Sequence, residues 1–171
     1  THTYADFVVK KCVWVLFKKT CRIVQSIQSF VLLILFLLCG FNMYAWSKNY
    51  KYERIKNVAY KKVDDQILKL DVYVPEGDGP FPSILVVHGG AWRLGSKGQL
   101  AIYARSLAKR GYTCFAINYR LAPKFKSPAQ TEDCRDAIRW IRTNASKYKA
   151  NPDLIGAMGY SAGGHLVSML A

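Results

Sequence analysis

A serine flanked by glycines is the most chemically suggestive feature of the sequence. Residues 159–164 read Gly-Tyr-Ser-Ala-Gly-Gly, so Ser161 has one glycine two positions before it and another two positions after it. The motif follows a short apolar run at 154–158, typical of a buried strand, and precedes a segment that favours a helix. A serine on such a sharp turn is exposed, and the N–H groups at the helix N-terminus can stabilise an oxyanion. The context predicts a nucleophilic serine, in preference to a simple glycine-rich turn.

A glycine pair directly after the apolar run 83–87 is the second feature. Residues 88–92 read His-Gly-Gly-Ala-Trp. Two adjacent glycines let the main chain approach a bound carbonyl and direct N–H groups at it. We therefore expect this segment to donate hydrogen bonds to an oxyanion. His88 is expected to shape the loop, not to act as the base.

No other polar residue completes a convincing catalytic triad with Ser161. His165 lies one helical turn after the serine and is expected to be a packing or surface residue. Asp133 and Asp136 are predicted on a mostly solvated helix face, and Asp71 lies in a predicted strand, where a structural partner is expected more often than a catalyst. The sequence thus contains a candidate nucleophile and candidate donors, but no base.

An alternation of strands and helices positions these motifs. Residues 58–63 and 67–74 alternate apolar with polar positions, which is typical of two half-buried strands joined by a turn at 64–66. Apolar runs and amphipathic stretches predict, in order, a strand at 83–87, a helix at 99–110, a strand at 112–118, a helix at 131–149, a strand at 154–158 and a helix from 162. A hairpin followed by β-α-β-α-β-α predicts an α/β fold with parallel later strands.

The residues before this domain differ from it in composition. Residues 1–22 are basic, 23–47 contain no charged residue, and 48–57 are polar and basic, as in a linker. The uncharged stretch is long enough to cross a bilayer as one apolar helix, and it also fits the apolar part of a signal peptide. We expect a cleaved signal or an uncleaved membrane anchor, and a buried core helix is the less favoured alternative. The domain at 58–171 is accordingly expected to be secreted or membrane-anchored, on the extracytoplasmic side.

The charge pattern and the cysteines argue against other classes of protein. The net charge is +14, but residues 1–62 carry 11 Lys or Arg with 2 acids, whereas residues 63–171 carry 14 with 9. Most of the excess therefore flanks the apolar segment, and no nucleic-acid-binding motif accompanies it, so we expect no nucleic-acid partner. The five cysteines have no metal-binding spacing, and we expect no metal site.

From about residue 57 to the end, the chain resembles the α/β-hydrolase superfamily. Within it, the chain is most similar to esterases and lipases related to hormone-sensitive lipase and to feruloyl and acetyl esterases of the BD-FAE type. Five stretches carry the resemblance, in the family's order: Leu-Lys-Leu-Asp-Val-Tyr-Val-Pro at 68–75, the 88–92 motif, Asn-Tyr-Arg-Leu-Ala-Pro at 118–123, the helix with Glu132-Asp133 and Ala-Ile-Arg-Trp at 137–140, and the 159–164 motif.

The resemblance implies a role for each motif residue. Ser161 would be the nucleophile, and Trp92 and Tyr160 would line the acyl side of the pocket. The oxyanion hole would consist of the N–H group of Ala162 with those of Gly90 and Ala91, and Gly89 is an alternative donor. Ala91 stands where many relatives have a third glycine, which is a known variant of the loop.

The implied reaction is hydrolysis of a carboxylic ester through an acyl-enzyme, without a cofactor. A small-molecule ester or an acetyl or feruloyl ester of a carbohydrate is the expected substrate. In the family the catalytic Asp and His follow the serine. The chain ends ten residues after Ser161, so we expect an incomplete domain with little activity. The alternatives are a prolyl-oligopeptidase-like peptidase, an arylformamidase, or a non-catalytic binding protein on the same scaffold.

Overall fold

The computed structural model describes residues 49–170, which fold as alternating strands and helices. The elements are β1 (Tyr52–Val63), β2 (Gln66–Pro75), β3 (Phe81–Val87), α1 (Ala101–Ala108), β4 (Thr113–Ile117), α2 (Ala129–Asn144), a 3-10 turn (Ser146–Tyr148), β5 (Ala150–Gly159) and α3 (Ala162–Ser168). This confirms the predicted order of elements. The predicted apolar helix at 23–47 lies outside the described residues. Within 49–170, no helix has the length and apolar character that a membrane crossing requires.

The strands form one mixed sheet in the order β1-β2-β4-β3-β5. β1 and β2 form an antiparallel hairpin, and β2 also pairs antiparallel with β4. β3 is parallel to both β4 and β5. The carboxyl ends of these three parallel strands therefore meet at one edge of the sheet, where ligands bind in open α/β sheets.

The two sheet faces are covered by different helices. Successive residues of a strand point to opposite faces, so Leu85 packs on one side of β3 and Val86 on the other. Buried residues on the first side include Leu70, Phe115 and Ile117 of the sheet, Ile141 of α2 and Leu166 of α3. Those on the second side include Tyr73, Cys114 and Ala116 of the sheet and Ala104 and Ala108 of α1. The continuous apolar runs of β3 and β4 follow from this double coverage.

The first strand begins earlier than the sequence predicted. Residues 52–57 were expected to belong to a linker, but β1 begins at Tyr52, which pairs with Pro75. The register shifts between Ile55 and Val58, where Asn57 has a φ of 59°. This bulge interrupts the two-residue alternation by which strands are identified in a sequence. β1 also pairs on one side only, so polar residues are tolerated along it.

The end of the predicted second helix also differs from the structure. α2 ends at Asn144, and residues 146–148 form a separate 3-10 turn, so the helix does not reach residue 149. Lys149 then has a φ of 50°, a left-handed conformation that ends the turn. β5 begins at Ala150, four residues before the apolar run that predicted it.

Candidate active site

Ser161 occupies the turn between β5 and α3. Its φ of 51° and ψ of −119° lie on the side of conformational space that L residues seldom adopt. Such a conformation is costly and persists only where the surrounding structure enforces it, which happens most often at functional sites. The side chain of Ser161 is exposed at the carboxyl edge of the sheet. The predicted strand–turn–helix context is therefore present.

The two glycines that flank Ser161 allow backbone contacts that no side chain would permit. A Cβ atom on Gly163 would lie 2.2 Å from the carbonyl oxygen of Val87, at the end of β3. A Cβ atom on Gly159 would lie 2.3 Å from the carbonyl carbon of Gly163. Glycine at these positions lets the start of α3 pack directly against the ends of β5 and β3, and this contact fixes the turn that carries Ser161.

The segment after β3, predicted to carry the donors, lies beside this turn. A Cβ atom on Gly89 would lie 2.8 Å from the carbonyl oxygen of Tyr160 and 3.4 Å from the Cβ of Ser161. The structure thus brings together the two motifs that the sequence separates by seventy residues. We call residues 88–99 the β3 loop, because they connect the end of β3 to the residues before α1.

The N–H groups of the two motifs differ in whether they are already bonded. The N–H of Gly89 donates to Oε1 of Gln99 at 2.9 Å, so Gly89, an expected alternative donor, is occupied within its own loop. Within residues 49–170, the N–H groups of Gly90, Ala91 and Ala162 have no acceptor. These three N–H groups are therefore not used as donors inside the described part of the chain. The sequence offers one clue to the bonded state of Gly89. Gln99 lies near the end of this loop, and a glutamine side chain there can accept a hydrogen bond from the start of the loop.

His88 is a buried part of the β3 loop. Its ring is 2% exposed and stacks on Tyr119 with 4.2 Å between ring centroids. Nδ1 lies 2.7 Å from the carbonyl oxygen of Gly89, so this nitrogen is the donor. Burial lowers the pKa of His88, and the hydrogen bond to Gly89 only partly opposes it. The neutral ring shapes the loop, as expected from the sequence.

Aromatic side chains flank the serine at the surface. Trp92 packs edge-on against His165 of α3 at 5.4 Å between centroids, so a residue of the β3 loop contacts the helix that follows Ser161. Trp92 and Tyr160 are 39% and 65% exposed. Within the described part of the chain, no side chain hydrogen-bonds to Oγ of Ser161. His165 therefore contacts Trp92 without forming a dyad with the serine.

A cavity of about 660 Å³ opens at the same sheet edge, beside the end of β4. It is lined by residues 63–68, His88, Gly95, Asn118, Tyr119 and residues 121–125. Ser161 is not part of this lining. The cavity lies on the β4 side of the β3 loop, and the exposed surface around Trp92 and Tyr160 is the one that adjoins the serine.

Asp133 corrects one prediction. It was expected on a solvated helix face, but its side chain is fully buried and binds Nζ of Lys61 at 2.6 Å and Nη2 of Arg120 at 2.8 Å. The spacing of the residues in α2 did indicate that Asp133 is buried. The buried residues of this helix include positions 130, 133, 134, 137 and 141, which follow a helical repeat. Because Asp133 is acidic, the sequence favoured a solvated position for it in spite of this repeat. Asp136 is partly exposed, with 32% of its side chain accessible.

The described residues contain no cluster of three His, Cys, Asp or Glu side chains that could hold a metal ion. Cys114 and Cys134 are buried, and neither is in a disulfide. Burial raises the pKa of both thiols to about 12, with a small contribution from Asp133 at Cys134. The thiolate form that a nucleophile needs is therefore suppressed, and Ser161 remains the candidate nucleophile.

Comparison with known proteins identifies a matching family and relatives that are named as esterases. The BD-FAE family model matches residues 70–171. The probable carboxylic ester hydrolase LipM of Mycobacterium tuberculosis is 40% identical over 94 residues, which cover 54% of this chain and 22% of that protein. The esterase LipC of the same organism is 36% identical over 123 residues, which cover 70% of this chain and 30% of that protein.

Solved structures of esterases are also similar to this chain. A thermophilic esterase from Thermogutta terrifontis has a TM-score of 0.61 and 34% identity, and the match covers 70% of this chain and 43% of that one. A bacterial heroin esterase has a TM-score of 0.60 and 26% identity, covering 70% and 38%. The chain thus spans less than half the length of each of these relatives.

Proposed function

The chain belongs to the BD-FAE family of α/β-hydrolases, and from this premise we propose that it hydrolyses carboxylic esters through an acyl-enzyme on Ser161. One observation carries the proposal: a serine with a positive φ lies beside a glycine loop in which the N–H groups of Gly90 and Ala91 have no acceptor among residues 49–170. The relatives named as esterases support the same chemistry.

In the proposed reaction, Oγ of Ser161 attacks the ester carbonyl while a base takes its proton. The N–H groups of Ala162, Gly90 and Ala91 donate to the oxyanion that forms. Collapse of this intermediate expels the alcohol, which receives the proton from the base. Water then hydrolyses the acyl-enzyme by the same route and releases the acid.

We place the base and its acidic partner in sequence that follows residue 171. This placement is supported by two facts: no described histidine bonds to Ser161, and the chain spans only 22% and 30% of its curated relatives LipM and LipC. A serine hydroxyl without a base is a weak nucleophile. The 171-residue chain alone is therefore proposed to be nearly inactive.

The substrate is proposed to be a small-molecule ester, or an acetyl or feruloyl ester of a carbohydrate. The exposed rings of Trp92 and Tyr160 beside Ser161 support a flat or apolar acyl group on that side. We also propose that the domain is secreted or held at a membrane through residues 23–47, because this segment is uncharged and flanked by basic residues.

Labelling with a fluorophosphonate probe tests the assignment of the nucleophile. In a protein that includes the sequence after residue 171, the probe should label one serine, and Ser161→Ala should abolish both labelling and hydrolysis of p-nitrophenyl acetate. Ser168→Ala is the matched control, since Ser168 ends the helix that follows Ser161 and its hydroxyl donates to the carbonyl oxygen of His165. Labelling that survives in Ser161→Ala would refute the assignment.

The same assay tests the proposal that the base follows residue 171. The 171-residue chain should retain at most the contribution of the oxyanion donors and binding, about 10³–10⁴-fold over water. Comparable Ser161-dependent turnover in the short and long proteins would show that His88 or His165 acts as the base, and would refute this part of the proposal.

A further inference from the structure

Lys97 of the β3 loop reaches across the sheet to a carboxylate on β2. Its Nζ lies 2.7 Å from Oδ1 of Asp71. The side chain of Lys97 is 16% exposed and that of Asp71 is fully buried. β4 lies between β2 and β3 in the sheet, so this ion pair joins the loop to a strand that is not its neighbour. The ion pair therefore fixes the β3 loop to β2.

Asp71 is a rigid, charged anchor for this attachment. Besides Lys97, its oxygens accept from the N–H of Asn57 at 2.9 Å and from Nη2 of Arg54 at 2.7 Å. Burial alone would raise the pKa of Asp71, but Lys97, the Asn57 N–H and Arg54 together lower it. The carboxylate is therefore ionised at neutral pH, and three donors from two segments, β1 and the β3 loop, fix its position.

Short contacts connect Lys97 to the residues beside Ser161. The N–H of Lys97 donates to Oδ1 of Asn118 at 2.7 Å, so both its main chain and its side chain are held. Two residues later, Oε1 of Gln99 accepts from the N–H of Gly89. Gly95 is packed so closely that a Cβ atom there would lie 2.5 Å from the carbonyl oxygen of Gly89. Movement of Lys97 would therefore displace Gly89 and the donors that follow it.

We propose that Lys97 and Asp71 are positioning residues for the ester hydrolysis inferred above, because they hold the N–H groups of Gly90 and Ala91 where the oxyanion forms. Neither side chain touches the substrate. Gly90, Ala91 and Trp92 all have positive φ, at 116°, 49° and 58°. A run of two non-glycine residues in this conformation is strained and requires external support. The Asp71–Lys97 ion pair supplies that support at the far end of the loop.

Lys61 provides a matched control for Lys97. Its side chain is 17% exposed and lies 2.6 Å from the fully buried carboxylate of Asp133, so the two lysines have nearly the same environment. Lys61, however, joins β1 to α2 and has no contact with the β3 loop. Nζ of Lys61 also lies 2.6 Å from Oδ2 of Asp136. Lys61→Met therefore removes at least as many ion pairs as Lys97→Met, but from the framework and not from the loop.

The kinetic test compares these variants in a protein that includes the sequence after residue 171. We expect Lys97→Met to lower kcat for p-nitrophenyl acetate about tenfold or more with KM changed less than about twofold, because the donors act mainly in the transition state. Affinity for a boronic acid that forms a tetrahedral serine adduct should fall by a similar factor. Lys61→Met should leave both unchanged, and Lys97→Arg should restore most of kcat. Equal kcat in the two methionine variants would overturn the proposal.

Amide hydrogen exchange tests the same inference without enzymatic activity. Exchange of residues 89–92 should be faster in Lys97→Met than in the wild type, and unchanged in Lys61→Met. If Lys97→Met does not fold, Lys97→Gln replaces it. Unchanged exchange in a folded variant would overturn the positioning role even if the protein is an esterase. An inactive wild type with faster exchange in Lys97→Met would refute the proposed function and the kinetic role, leaving only the attachment of the loop.

Discussion

Two buried aspartates in this domain are each bound by one lysine and one arginine, and they connect different parts of the molecule. Asp133 on α2 binds Lys61 of β1 and Arg120, which follows β4. Lys61 lies in a strand, and Arg120 lies in the segment that connects β4 to α2. Asp71 on β2 binds Arg54 of β1 and Lys97 of the β3 loop. The Asp133 cluster joins α2 to β1 and to the segment before α2, and the Asp71 cluster joins β2 to β1 and to the loop beside the candidate site.

The arginines of the two clusters also differ in their geometry. Arg120 donates to Asp133 through its main-chain N–H, Nε and Nη2, and Nη2 also donates to the carbonyl oxygen of Ala129. Arg54 donates to Asp71 through Nη2, and its buried Nε has no acceptor among residues 49–170. The Asp133 cluster is therefore the more completely bonded one. The same residue types thus serve stability in one place and, as proposed above, the position of a loop in the other.

The largest effect should come from removing the charge of Asp133. Asp133→Asn leaves Lys61 and Arg120 as poorly compensated cations, with side chains only 17% and 11% exposed. We expect it to lower the free energy of unfolding by about 3–5 kcal/mol, measured by urea unfolding of the protein with its following sequence. A loss no greater than that of Asp71→Asn would contradict the distinction between the clusters.

A smaller effect that depends on pH is expected for Asp71. Its folded pKa is lowered, so its charge contributes stability that is fully present above the unfolded value of about 3.9 and is lost as the pH falls through the folded value. Asp71→Asn should cost about 1–3 kcal/mol at pH 7, because Arg54 is 27% exposed and can regain water. The difference between wild type and variant should shrink between pH 5 and the lowest pH at which the protein folds, by at most about 1.4 kcal/mol per pH unit. This difference can be measured by urea unfolding at constant ionic strength. A difference that does not change with pH would contradict the conclusion that Asp71 stabilises the fold through its charge.

The smallest change in the free energy of unfolding is expected for the exposed ion pair next to the Asp133 cluster. Arg139 binds Asp136 one helical turn away, with 71% of the arginine side chain exposed. Arg139→Ala should change the free energy of unfolding by less than about 0.5 kcal/mol, since solvent and salt screen the pair. A cost above about 1 kcal/mol would mean that burial does not explain the ranking of these ion pairs.

The order of elements and the turn that carries Ser161 were determined by the sequence alone. Both depend on local patterns. Apolar runs identify β3, β4 and β5, and glycines two positions either side of Ser161 identify a turn that excludes larger side chains. Backbone conformation and periodicity act over a few residues, so a short stretch of sequence contains the information.

The tertiary structure decided which charges are buried and which N–H groups remain available. Lys61 and Asp133 are separated by 72 positions, and they meet only because the sheet order places β1 near α2. The bulge at Asn57 and the attachment of Lys97 to Asp71 likewise depend on partners supplied by other strands. Burial of a charge is favourable only when a specific partner is in place, and no local pattern specifies that partner.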